Sequence, residues 1–160
     1  MLIRGATGAD LGAVGALWNR MIRDTTATFT TVEKSDADLQ ALLAARGDAF
    51  LVAETDGICT GFMTWGTFRI GPGYAATAEH TIVTSGHAHG TGRALMQAGL
   101  AQARAQGLHV MIAGISAENA PGLAFHARMG FEKSGHLPQV GRKNGRWIDL
   151  ILMSRMLNTP

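Results

Sequence analysis

The sequence predicts one α/β domain over residues 1–160, built on a mixed, mostly antiparallel sheet of about seven strands flanked by about four helices. Three observations carry this. Strand-length apolar runs alternate with helical-period segments along the whole chain. Asp56-Gly57 separates two strand-like runs, a strong hairpin signal that makes the first half antiparallel. Gly90–Gln106 is a long stretch rich in Ala, Leu and Met that ends at Gly107, as a well-formed helix does.

The elements follow in order. Leu2–Arg4 reads as an opening strand. Asp10 is placed as the N-cap of a helix whose apolar positions Leu11, Val14, Leu17, Trp18 and Met21 keep helical spacing. Ser35 with Asp38 three residues on forms a capping-box pattern, and Leu39, Leu42 and Leu43 continue on one face. Phe50–Thr55 and Ile58–Trp65 are the hairpin strands. A glycine-rich connection (Arg69 to Tyr74) leads to a fourth strand within Thr77–Thr84.

After the long helix, His109–Ile115 is a continuous apolar run, the pattern of a strand buried on both faces. Pro121–Met129 is a short helix with Pro in its first turn and Gly130 just beyond its end. Phe131–Leu137 and Trp147–Met156 complete the sheet, joined by a Gly/Lys/Asn/Arg turn.

Composition excludes several classes. Of 160 residues, 46% are hydrophobic and 16% charged, which is globular rather than disordered. A single cysteine, Cys59, rules out a disulfide framework. The net charge of +2 is too small a bias to argue for nucleic acid. No apolar run approaches the roughly 20 residues of a membrane span, and the N-terminus carries no secretory pattern. A cytoplasmic protein without membrane or nucleic-acid partners is the expectation. His80, His87 and His89 tempt a metal reading, but no Cys or carboxylate completes a set at ligand spacing, so no metal is expected.

The most informative segment is His87-Ala88-His89-Gly90-Thr91-Gly92-Arg93, between a strand and the long helix. Glycines there leave several N–H groups unobstructed at the positive end of the helix dipole, where phosphate is favoured, and Arg93 adds a cation. The same residues also suit a plain strand-to-helix turn. A P-loop is excluded because Arg93-Ala94 follows Gly92 where Lys-Ser/Thr is required. A Rossmann turn is excluded by the missing third glycine and by position.

This turn resembles the acyl-CoA pyrophosphate loop of the GNAT N-acetyltransferase superfamily, whose element order the chain also matches. Three further segments narrow the resemblance: Ala78-Glu79-His80-Thr81-Ile82-Val83, the run from Glu118-Asn119-Ala120 to Met129-Gly130-Phe131, and Pro138 to Leu150 with its Gly-Arg-Trp-Ile-Asp. Together they resemble the phosphinothricin and methionine sulfoximine/sulfone N-acetyltransferases over nearly the whole chain.

The resemblance implies acetyl-CoA as donor, a small amino-acid-like amine as acceptor, direct attack without an acyl-enzyme, and a homodimer. It implies Glu79 as the base that frees the amine, a role worth about 10²–10⁴-fold. It implies His126 as the residue serving the departing thiolate, a packed helix histidine being the alternative. The cofactor positions it implies are Ile82 and Val83 in the strand, His87, His89, Gly90, Thr91, Gly92 and Arg93 in the loop, and Asn119, which also suits a helix cap. Arg69, Tyr74, Lys143 and Trp147 are implied as substrate-binding.

Three departures stand out. The stretch from Glu79 to Gly92 is shorter than the family pattern, so the end of the fourth strand or the loop is trimmed. His87 replaces the usual Gln or Arg of the loop. Ala75-Ala76 replaces an Arg-Tyr pair whose arginine would clamp a substrate carboxylate. Arg69, Arg142 or Lys143 is the expected substitute, the latter two from a neighbouring subunit. Transfer to another amine (polyamine, aminoglycoside or peptide terminus) and a catalytically weak CoA-binding regulator remain alternatives.

Overall fold

The computed structural model describes residues 1–86 and 88–158. Seven strands form one sheet: β1 (Leu2–Gly5), β2 (Phe50–Thr55), β3 (Ile58–Thr67), β4 (Thr77–Thr84), β5 (Val110–Ser116), β6 (Glu132–Lys143) and β7 (Arg146–Met156), in the order β1-β2-β3-β4-β5-β7-β6. Four helices flank it: α1 (Leu11–Asp24), α2 (Asp36–Arg46), α3 (Thr91–Ala105) and α4 (Ala120–Arg128).

Local chemistry explains most boundaries. Asp56 and Gly57 both take positive φ (51° and 77°), the twist that a two-residue hairpin needs. Ser35 caps α2 as the sequence predicts: Asp38 N–H donates to Ser35 Oγ at 3.1 Å and Ser35 N–H to Asp38 Oδ2 at 2.8 Å. Gly107 (φ 84°) ends α3, and Asn144-Gly145 (53° and 71°) turns β6 into β7.

Asp10 departs from expectation. A short 3-10 turn, Gly8–Asp10, extends the helix start back to Thr7, so Thr7 is the N-cap and Asp10 is the third residue of its capping box. Its buried carboxylate instead accepts from the Thr7 N–H and hydroxyl and from Arg4 at 2.8 Å. The Arg4 bonds hold that carboxyl down at about 2.

The alternation of β3 divides the core. Met63 and Trp65 pack with Leu95 and Met96 of α3 and Met111 and Ala113 of β5, while Phe62 packs on the other face with Val14 and Trp18 of α1 and Leu39 of α2. Each buried side chain of this size contributes roughly 1.5–3 kcal/mol. β5 is not buried on both faces: Met111, Ala113 and Ile115 are covered, whereas Ile112 is half-buried and Gly114 exposed. The reason is an opening in the sheet.

That opening lies at its one parallel pair. β4 meets β5 only over Thr77–Glu79 against Val110–Ile112. Beyond Glu79, β4 stays paired to β3 as far as Thr84, and β5 stays paired to β7 as far as Ser116, so the two strands part.

Candidate active site

The split leaves backbone groups without a strand partner. Phe68 N–H donates to Thr77 O and Ser85 N–H to Thr60 O, which turns odd-numbered β4 residues toward β3 and even-numbered ones toward β5. The N–H and C=O of Ile82 therefore face the gap, and those of Val83 face Phe62. A passage of about 260 Å³ runs through the gap, reached from one sheet face by His80, Ile82 and His126 and from the other by Thr81, Gly114, Thr30 and Lys34.

Glu79 is the last β4 residue paired across to β5. Its side chain is exposed on the α1/α2 face, and Oε1 lies where a β-carbon on Gly114 would crowd it, at 2.9 Å. Partial desolvation raises its carboxyl above the ordinary range. A carboxylate so placed, at the rim of the passage, is suited to proton abstraction.

Behind it the passage is lined by two buried imidazoles. His126 Nδ1 lies 2.7 Å from Gly122 O, so Nδ1 carries the proton and donates. Its Nε2 is then the acceptor, 3.2 Å from His80 Nε2, which donates. The rings stack with centroids 5.1 Å apart, and each meets Phe131 edge-on. Burial lowers both pKa values and favours the neutral pair; His126 further disfavours charge on His80, while the bond to Gly122 O partly opposes the shift of His126. The tautomer assignment leaves His80 Nδ1 as a buried acceptor without a partner among the described residues.

At the far end of β4, Gly90 takes φ 82° and starts α3 with no side-chain cap. Thr91 is buried, and its hydroxyl donates to Ala88 O at 2.9 Å, closing the turn. The N–H groups of the first helical turn are thereby left open to a ligand. They border a cleft of about 800 Å³ that also collects Arg93, Arg128 and Arg155. The Arg155 guanidinium donates to Met129 O. Gly92 lets Phe125 of α4 pack close, its ring 3.3 Å from a would-be β-carbon. Sequence reasoning found His89 to Arg93 but missed Arg128 and Arg155. They lie 35 and 62 residues beyond Arg93, and only the return of α4 and β7 brings them to α3. His87 lies outside the described residues.

The remaining residues divide. Asn119 lines the passage and caps α4, its Oδ1 accepting from Gly122 N–H at 3.0 Å. Lys143 is buried and turned inward, donating to Ile22 O at 2.6 Å and Thr28 O at 3.0 Å. It fastens the α1–α2 loop to β6 and does not line the passage. Trp147 is exposed and stacked by Arg142 at 4.8 Å. Tyr74 and Arg69 are exposed in the β3–β4 connection, with Arg69 over Phe68 at 5.2 Å. Among the described residues no group of three or more His, Cys, Asp or Glu side chains could hold a metal, and no helix is long and apolar enough to cross a membrane.

Comparison with known proteins gives this geometry a context. Residues 3–152 match the acetyltransferase (GNAT) domain. The chain is 40% identical to an L-methionine sulfoximine/L-methionine sulfone acetyltransferase of Pseudomonas paraeruginosa, over 98% of this chain and 94% of that protein. It is 34% identical to a phosphinothricin N-acetyltransferase of Alcaligenes faecalis, over 98% and 82%. An acetyltransferase from Salmonella typhimurium, solved with acetyl-CoA, superposes with a TM-score of 0.94 at 33% identity, covering all of this chain and 95% of the other.

Proposed function

The chain belongs to the acetyltransferase (GNAT) family, and on that premise we propose that it moves the acetyl group of acetyl-CoA onto the amine of a small amino-acid-like substrate. Methionine sulfoximine, methionine sulfone and phosphinothricin define the substrate type, since proteins named for acting on them are 40% and 34% identical to this chain. The observation that carries the proposal is the passage at the β4–β5 split, with a carboxylate at one rim and the open start of α3 beyond the other end.

The residues fit such a donor. Open N–H groups at the start of α3, reinforced by Arg93, Arg128 and Arg155, make a cleft for a diphosphate. The unpaired edge of β4 at Ile82 and the amide of Asn119 suit an extended amide-bearing arm. Acetyl-CoA supplies an acyl group activated as a thioester.

Glu79 takes the proton of the substrate ammonium, because only the free amine attacks. Its raised pKa moves its basicity toward the amine's. The Ile82 N–H, aimed into the gap, is the donor for the oxygen on which negative charge develops. His126 serves the departing sulfur. For that role its unprotonated Nε2 must release the bond to His80, take up the proton that the attacking nitrogen loses as it is acylated, and pass it to the thiolate. Cys59 takes no part: it lies in β3, its thiol bonded to Gly61 O at 3.6 Å and raised in pKa by burial.

The proposal extends to a cytoplasmic homodimer. Leu137, Val140 and Trp147 stand 41–58% exposed on the β6–β7 hairpin, apolar side chains that contact with a second copy would cover. Light scattering that finds only monomer at micromolar concentration removes this part. The activity is tested by CoA release across methionine sulfone, methionine sulfoximine, phosphinothricin, a polyamine and a peptide N-terminus. Turnover confined to the first three is expected. Tight acetyl-CoA binding with no turnover of any amine sinks the proposal in favour of a CoA-binding regulator.

A further inference from the structure

We infer that Lys34 is the anion anchor of the acceptor site, holding the α-carboxylate of an amino-acid substrate whose amine faces Glu79. The inference rests on the proposed function and adds to it the residue that would replace the cation missing at Ala75-Ala76.

Lys34 lies just ahead of α2 and lines the passage together with Thr81 and Gly114. Gly114 is the residue against which the Glu79 carboxylate rests. The hollow that Lys34 lines therefore reaches the glycine under the Glu79 carboxylate, and an acid and a cation together complement a zwitterion.

The lysine is held in place twice. Asn19 grips its backbone from α1, with Asn19 Nδ2 donating to Lys34 O at 3.0 Å and Lys34 N–H donating to Asn19 Oδ1 at 2.8 Å. Its Nζ lies 4.4 Å from the ring centroid of buried Trp18, which itself packs on Phe62. A free lysine side chain retains up to about 2 kcal/mol of rotamer entropy, so restraint of both backbone and ammonium marks an unusual surface lysine.

The ammonium nonetheless has no carboxylate partner among the described residues. Asp38, whose carboxyl feels the Lys34 charge, is turned into the Ser35 capping box. Other cations are placed elsewhere. Lys143 is committed to two carbonyls, Arg142 lies on Trp147, and Arg46 is folded over Gly66 in a different hollow.

The test is steady-state kinetics of full-length wild type, K34Q and K34R with methionine sulfone and with its α-carboxamide. The wild type is expected to favour the acid. K34Q raises KM for the acid on the order of 10- to 100-fold, the loss expected for a hydrogen bond to a charged group, with kcat within about twofold. K34Q leaves KM for the carboxamide and for acetyl-CoA unchanged, and K34R restores most of the acid preference. An equal change for acid and carboxamide, or no change for either, overturns the inference. A wild type that turns over both with the same KM overturns it too while leaving the proposed function intact. Turnover of neither removes both.

Discussion

Oε1 of Glu79 sits 2.9 Å from the point a β-carbon on Gly114 would occupy, just beyond the last rung of the β4–β5 ladder, Glu79 to Ile112. The other atoms near that point, on Leu150 and Leu152, are at ordinary contact distances of 3.7 and 4.0 Å. Gly114→Ala therefore displaces the carboxylate and little else. A kcat on the order of 10²-fold lower with Tm nearly unchanged is expected from a misplaced base, read by initial rates and a thermal melt.

Removing the Glu79 carboxylate outright separates the proposed proton transfer from donor binding. Glu79→Gln should lower kcat by about 10²–10⁴-fold with little change in KM for acetyl-CoA, because the diphosphate cleft lies at the other end of β4. The pH profile carries a second mark. The carboxyl must be ionised to act, and its pKa is raised, so wild-type activity should climb with pH through a limb above the ordinary carboxylate value near ~4.3. Glu79→Gln should lack that limb. A limb retained in the variant assigns the titration to another group.

The His80–His126 pair ties stability to pH. Both folded-state pKa values lie below that of an unfolded histidine, so the unfolded chain binds more protons on acidification. Stability contributed by the neutral pair is fully present above about 6.5 and is lost as pH falls toward the folded values. Thermal melts from pH 7.5 to 5 should show Tm dropping across that window. His80→Gln, which keeps a donor but does not titrate, should flatten the drop; an unaltered slope excludes the pair as its source.

Lys143 makes a structural prediction where sequence suggested a substrate contact. Lys143→Met keeps the buried aliphatic stem but leaves Ile22 O and Thr28 O without their donor. The loss should be about 2–4 kcal/mol, a fall in Tm of roughly 5–15 °C. Differential scanning calorimetry measures it. An unchanged Tm together with a raised acceptor KM would restore the substrate role.

The arginine cleft can be read through ionic strength. Arg128→Gln should raise KM for acetyl-CoA about tenfold at low salt and less at high salt, because an exposed guanidinium–phosphate contact is screened. Acceptor KM should not move. A salt-independent change points to packing rather than charge.

Sequence by itself determined the elements. Side-chain period, the Asp56-Gly57 and Asn144-Gly145 turns, the Ser35–Asp38 box and the glycine loop before α3 are all set by neighbours a few residues apart, and these are legible in a string of residues. Local pattern also marked the loop before α3 as suited to phosphate, whereas Glu79 stood out only through the family resemblance.

Tertiary structure decided which of these residues face one another. The split beyond Glu79, the rest of its carboxylate on Gly114, the bond between His80 and His126 across 46 positions, and the inward turn of Lys143 toward α1 across 121 positions depend on strand order and register. A shift of one residue in β4 would send Glu79 to the opposite face while leaving every local pattern intact. Local chemistry can specify a strand or a cap, but long-range pairing is fixed only when the two cores and the sheet close together, and that closure places an acid and a cation at one opening.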